Sequence, residues 1–172
     1  MDAPLSSGTV RPSAAMATPS PSTSYRPLDA LCARLDLRMV ADLVGQSGDH
    51  RDVAAVSSGS TGSACAVTVG RLPGGVVVTV RADVGAPNSG RLMYEGLRQV
   101  QLGGGPVTEL TGVGAAAYAY SDPIAGISVV TYDANLYLTV TAAPLRAGAD
   151  LPDGLIAGLS ATASSGLSAL RA

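Results

Sequence analysis

The chain has 172 residues and a formal net charge of −2, and all 11 of its basic residues are Arg. This length fits one domain. The arginines are spread along the chain instead of forming a dense basic stripe, which argues against nucleic acid as a partner and against electrostatic membrane binding. No run of about 20 apolar residues is present, so no membrane-spanning helix is expected.

The first 27 residues contain 5 Pro, 6 Ser and 3 Thr and show no hydrophobic period. Such a segment buries too little apolar surface to offset its ordering entropy, so we predict a disordered tether over residues 1–27 and one domain over residues 28–172. The start also lacks the basic and apolar regions of a secretion signal. Two interpretations stay open: a cytosolic start at Met1, or a chain whose signal or anchor was removed. The tether favours the second, because such tracts space domains away from a membrane or wall.

The first half of the domain predicts a helix, a loop, a hairpin and a second helix. Residues 28–44 show a helical pattern, and the polar, Gly- and Ser-rich residues 46–63 predict a loop. Alternation over residues 65–71 and 76–84 brackets a Pro-Gly-Gly turn and predicts a β-hairpin. Asn88 is a suitable cap for the second helix. Its predicted buried stripe is Leu92, Met93, Leu97 and Val100.

The second half predicts strands and a closing helix. The strands cover residues 107–110, 115–120, 127–132 and 136–142, and the helix begins near Pro152, a residue suited to a first turn. Strands grouped in hairpins favour an antiparallel sheet. We therefore predict an α+β fold: an antiparallel sheet of about five to six strands built from hairpins, packed on one face against two or three helices, with one disulfide.

The two cysteines are Cys32, in the first helix, and Cys65, at the start of the first predicted strand. An apolar helix face and a strand start can approach closely enough for a disulfide. Two buried free thiols are the alternative, since free cysteine behaves as a small apolar residue. Two cysteines without His or acidic company are poor metal ligands, and the spacing is not that of a Cys-x-x-Cys redox pair. No metal site is therefore predicted.

Short motifs resemble a family of small actinobacterial envelope proteins, many of them lipoproteins, that is known only as a domain of unknown function. The similar segments are Cys-Ala-Arg-Leu-Asp at 32–36, Leu-Val-Gly at 43–45, Cys65 opening a strand, and Gly112-Val-Gly-Ala-Ala-Ala-Tyr118. The resemblance covers residues 28–172 and implies an extracytoplasmic α+β domain with Cys32 bonded to Cys65. Two features depart from the family: Val67 stands where many members have Trp, and no lipobox cysteine is present. The resemblance transfers no catalytic or ligand-binding residues.

Catalytic and cofactor signatures are weak. His50, the only histidine, lies in a charged segment beside Asp52, and the pair are the only plausible participants in a hydrolase. A solvated surface loop is the simpler explanation of both residues. The glycine-rich segments match no phosphate-binding motif, and Asp122, Asp133 and Asn135 fit turn formation better than calcium binding. We expect no enzyme activity and no cofactor.

Four tyrosines are candidate contact residues. Two of them have the same parity on one predicted strand, and two flank a hairpin loop, so several rings can share one sheet face. Tyrosine combines apolar area with a hydroxyl group and is frequent at interfaces. The alternative is that the rings replace Phe and Trp, both absent from the chain, in the core. The four are Tyr118, Tyr120, Tyr132 and Tyr137.

The expected function is that of a non-catalytic module of the cell envelope, or a secreted one, that binds an envelope protein or a small ligand. Any membrane association then depends on an anchor that this chain does not contain. A sensory or regulatory ectodomain of a membrane protein is the alternative, and a hydrolase using His50 ranks third.

Overall fold

The computed structural model describes residues 23–57 and 60–172, with side chains omitted at 54–57 and 60. Residues 1–22 of the predicted tether therefore lie outside the described residues. The helical elements are a 3-10 turn at Cys32–Arg34, α1 at Arg38–Val44, α2 at Ser89–Gly104 and α3 at Leu155–Leu170. The strands are β1 Ser47–Ser57, β2 Ser60–Val69, β3 Val76–Val84, β4 Thr108–Leu110, β5 Ala116–Asp122, β6 Gly126–Asp133 and β7 Leu136–Pro144.

The seven strands form one antiparallel sheet in the order β1-β2-β3-β7-β6-β5-β4. The predicted α+β class, the antiparallel sheet and the single disulfide are confirmed, and the strand number is slightly higher than expected. The extra strand is β1, which occupies most of the predicted loop at 46–63. An edge strand pairs on one side only and stays exposed, so its sequence need not show the apolar alternation by which strands are recognised.

One face of the sheet, here called the core face, packs against α1 and α3. Alternate residues of β3 and β7, such as Val80 and Val140, point to this face and are fully buried. The last helix presents a matching apolar stripe. Its buried aliphatic residues are Leu155, Leu159, Ala163, Leu167 and Leu170.

The opposite face, here called the tyrosine face, carries α2. Tyr94 of α2 packs on Tyr118, Val130 and Tyr137 in a second, smaller apolar cluster. The expectation of helices on one face only was therefore wrong. Strands whose two faces are both apolar over part of their length need cover on both sides, and the alternating Tyr and Val residues of β5–β7 create that need.

The orientation of α2 also differs from the expected one. Its buried residues are Gly90 and Tyr94, whereas Leu92 is 70% exposed and Val100 is 73% exposed. Gly90 allows the close approach, since a Cβ at this position would collide with the carbonyl of Leu136. The aromatic ring and the glycine thus decide which side of the helix faces the sheet, and the predicted aliphatic stripe is displaced to its flank.

The core begins inside the segment predicted as tether. Tyr25 is buried, and its backbone exchanges hydrogen bonds with the Asn135 side chain, at 2.9 Å from its N and 3.1 Å to its O. The Tyr25 hydroxyl donates to Asp133. On either side, the Arg26 N donates to the Leu170 O at 3.0 Å and the Ala172 N to the Ser24 O at 2.9 Å. These contacts, here called the terminal clamp, hold both ends of the described chain together.

Candidate functional site

The strand ladders place the four predicted tyrosines on the same face of the sheet. Tyr132 lies opposite Tyr137 in the β6–β7 ladder, and Tyr118 and Tyr120 alternate along β5. Tyr94, which the sequence did not single out, lies over them from α2, with ring centroids 5.3 Å from Tyr118 and 4.8 Å from Tyr132. These separations are typical of favourable aromatic pairs. The five residues are called the tyrosine cluster.

The tyrosine cluster divides by burial into a packed part and an accessible part. Tyr94, Tyr118 and Tyr137 are buried, whereas Tyr120 and Tyr132 are half-buried. Burial raises the phenol pKa of each of the three buried residues above its ordinary value of 10.0, because the phenolate loses hydration. These three rings are therefore neutral packing elements, and Tyr120 and Tyr132 keep surface for contacts.

A groove of about 400 Å³ runs between α2 and the open part of the tyrosine face. Its wall is the side of α2 that carries Met93 and Leu97, and Tyr137 closes one side of it. Its floor is formed by threonines of neighbouring strands, among which Thr79 and Thr141 are direct partners in the β3–β7 ladder. This α2 groove is lined by Thr79, Arg81, Asp83, Met93, Leu97, Tyr137, Thr139 and Thr141.

One end of the α2 groove is charged. Asp83 is only 7% exposed, and its Oδ2 lies 3.4 Å from Nε of Arg81, which projects towards solvent. A buried carboxylate needs such a partner, because an isolated buried charge is costly. The groove thus combines an apolar wall, a hydroxyl floor and an ion pair at its polar end.

The exposed flank of α2 continues the apolar wall outside the groove. Leu92, Met93, Leu97 and Val100 share one side of the helix at i, i+1, i+5 and i+8, so they form a continuous strip. An ion pair between Arg98 and Glu109 ties the other side of α2 to β4. The helix is therefore held in place by Tyr94 and Arg98. Met93 packs at the edge of the tyrosine cluster, whereas Leu92 and Val100 project mostly into solvent.

A second concavity, of about 470 Å³, lies beside the disulfide. It is called the disulfide cleft, and its lining includes Cys32, Arg34, Asp36, Arg38 and His50. Asp36 accepts hydrogen bonds from the Arg38 guanidinium, which lowers the pKa of this exposed carboxyl to about 2. His50 lies on β1 instead of on a loop, and its ring makes no hydrogen bond to a carboxylate or hydroxyl among the described residues.

Three further sequence candidates have structural roles. Asp122 accepts hydrogen bonds from the N–H groups of Ile124 and Ala125, both at 2.7 Å, as a turn-forming aspartate does. Asp133 and Asn135 belong to the terminal clamp. Tyr94 and the α2 groove escaped the sequence interpretation because parity on a strand carries no information about which helix lies over it.

Cys32 and Cys65 form the predicted disulfide, with Cα atoms 5.2 Å apart. Disulfides persist in oxidising compartments, so this bond indicates a location outside the cytoplasm. None of the helices in residues 23–57 and 60–172 is long and apolar enough to cross a membrane. No family model, no curated protein and no solved structure matches this chain.

Proposed function

We propose that the protein is a non-catalytic binding module of the cell envelope, or a secreted one, and that its α2 groove and the adjoining strip of α2 contact a protein partner. The observation that carries this proposal is the exposure of three apolar side chains, Leu92, Leu97 and Val100, on one flank of a helix that Tyr94 anchors, with the half-buried Met93 beside them. Leu92 and Val100 keep most of their surface in water although the helix lies on the sheet. Contiguous exposed apolar surface beside a polar groove is typical of partner contact sites.

The shape of the surface favours a protein over a small molecule. A ligand inside the α2 groove touches Met93 and Leu97, which line it, but Leu92 and Val100 are not part of that lining. Only a partner that also spreads over the helix flank covers all four residues. An apolar segment with a polar end, set against the Arg81–Asp83 pair, complements the whole surface.

Position-specific photo-crosslinking tests the proposal. A photoreactive residue at position 100 should give one discrete protein adduct in intact cells that express the protein naturally. Position 124 is the matched control, because Ile124 is apolar and 91% exposed but lies on the β5–β6 turn. Leu97→Asp should reduce the adduct at position 100 by at least about tenfold, since it places a charge in the apolar wall. Equal adducts at positions 100 and 124, or none at position 100, would contradict the proposal.

The compartment is tested on the same cells. An external protease that does not enter intact cells should digest a tagged form of the protein, while a cytoplasmic marker stays intact. Full protection of the tagged protein until the cells are lysed would exclude display on the envelope. Its recovery from the medium instead would identify the secreted form.

A further inference from the structure

The two cysteines and the one histidine of this protein lie in one region. The chain contains one His and two Cys, and both His50 and Cys32 line the disulfide cleft. Cys65 lies directly opposite Asp52 in the β1–β2 ladder, two residues along β1 from His50. The sequence alone shows two isolated cysteines, whereas the fold supplies the acidic and imidazole neighbours that a metal site needs.

The two sulfurs, which are bonded to each other in this structure, have a carboxylate beside them. One ligand atom from each of Cys32, Asp52 and Cys65 lies within 4.8 Å of the other two. The backbone N–H of Cys32 donates to Oδ1 of Asp52 at 2.8 Å, which fixes the carboxylate beside the sulfurs. Within the described part of the chain, Asp52 belongs to no ion pair that would engage its charge elsewhere.

The backbone fits such a site. Cys65 lies within a strand that is paired on both sides, whereas Cys32 begins the three-residue 3-10 turn at Cys32–Arg34. Cys32 is half-buried and lines the disulfide cleft, so there is open space next to it. Residues 50 and 52 share a strand face, so His50 projects on the same side as Asp52. Its ring nitrogens lie outside the group of atoms within 4.8 Å, so the imidazole has to turn towards the sulfurs in order to bind.

We propose that the reduced form of the protein binds one zinc ion through Cys32, Cys65 and Asp52, with His50 as the fourth ligand. Two thiolates, an imidazole and a carboxylate are ligand types that tetrahedral zinc accepts. The site lies on the core face of the sheet, away from the α2 groove, so this binding is independent of the proposed partner contact.

The disulfide and the metal ion exclude each other. A dithiol reductant donates two electrons and two protons to the Cys32–Cys65 bond, which breaks to give two thiols, while the reductant becomes a disulfide. The zinc ion then displaces the two thiol protons to solvent, because the thiolate is the ligand. In a newly synthesised chain the disulfide has not yet formed, so both thiols are available to zinc and no reductant is needed.

The Asp52→Asn variant separates metal binding from the structural role of this residue. Asparagine keeps the side-chain oxygen that accepts the Cys32 N–H but removes the negative charge that binds a cation. If Asp52 served only to cap the 3-10 turn, this substitution would leave zinc affinity unchanged. Asp49→Asn is the matched control, because it removes the same charge from the same strand outside the ligand set.

The test is a competition titration of zinc against a chromophoric chelator, with protein reduced by a dithiol that is then removed without oxygen. We expect one zinc ion per reduced chain and none per oxidised chain. Asp52→Asn and His50→Ala should each weaken binding by at least about tenfold, and Asp49→Asn should not. Cobalt in place of zinc should give the intense visible bands of a tetrahedral thiolate complex.

Three outcomes would overturn the proposal. Equal zinc binding by the oxidised protein would show that the two thiolates are not ligands. Unchanged affinity in Asp52→Asn would show that two thiols alone bind the metal, as in an unfolded reduced chain. Unchanged affinity in His50→Ala would overturn the assigned ligand set. Circular dichroism of each reduced variant with zinc shows whether a loss of affinity occurs in a folded chain.

Discussion

Replacing Tyr94 with Ala should detach α2 from the sheet. Apart from Gly90, Tyr94 is the buried residue of this helix, so one side chain accounts for most of the apolar contact between α2 and the tyrosine face. Truncating a buried aromatic residue to Ala costs about 3–5 kcal/mol. The two ring contacts, with Tyr118 and Tyr132, place the expected loss in the upper part of this range, because each contributes about 0.5–1.5 kcal/mol beyond its area.

Equilibrium unfolding in urea measures the loss of free energy, and hydrogen exchange shows where it occurs. A loss of about 4–5 kcal/mol corresponds to a change of roughly a thousandfold or more in the unfolding equilibrium. Because domains of this kind have only about 5–15 kcal/mol of stability, the variant should remain folded by a narrow margin. Amides of α2 should then exchange with solvent by local opening. Their exchange should be faster than that of amides in β3 and β7, whose side chains fill the core between the sheet and α3.

Tyr94→Phe is the matched control. It keeps the ring contacts, and the Tyr94 hydroxyl makes no hydrogen bond within the described residues, so stability should change by no more than about 0.5 kcal/mol. A loss below about 1 kcal/mol in Tyr94→Ala would refute the reasoning. So would α2 amides that stay as protected as those of β3, since the helix would then be held by other contacts.

Three further results are expected. Removing both Cys32 and Cys65 by substitution with Ala should cost about 3–4 kcal/mol in urea unfolding, as expected for a closed loop of 33 residues, and a loss below about 1 kcal/mol would contradict this account. Because burial raises the phenol pKa of Tyr118, its neutral form contributes folding stability that is complete below pH 10.0 and is lost as the pH rises through the folded-state pKa. Tyrosinate absorbance during a pH titration measures this ionisation. Joint ionisation of all tyrosines near pH 10.0 in folded protein would argue against the prediction. Asn135→Ala removes the side-chain bonds to Tyr25 and should cost about 1–3 kcal/mol and accelerate exchange of the Tyr25 amide, whereas unchanged exchange would show that the clamp does not depend on Asn135.

The sequence predicts those elements whose side chains alternate between core and solvent. Val76–Val84 and Leu136–Pro144 are central strands, and their apolar alternation follows from burial of one face. β1 is missed because it lies at the sheet edge and carries Gly, Asp, His and Arg, residues that the same local rules assign to a loop.

The candidate site is predictable only in part, for a related reason. Parity along the strands is enough to group the tyrosines, but the choice of which side of α2 meets them depends on Gly90 and Tyr94 acting together. Helical periodicity predicts a buried stripe of Leu92, Met93, Leu97 and Val100, because it takes account of hydropathy and spacing alone. The proximity of Asp52 to the cysteines is likewise a product of strand register, which requires the partner strand to be recognised first.

The terminal clamp brings the two ends of the domain together at one place on its surface. The backbone at Ser24 and the backbone at Ala172 are joined by a hydrogen bond. A force applied to both of these positions in the same direction therefore acts on the clamp and not on the strands of the sheet. Because the gap between these ends is so short, joining them would make a closed ring with little loss of entropy. The same proximity makes the domain suitable for transplantation into a surface loop of another protein, where entry and exit must coincide.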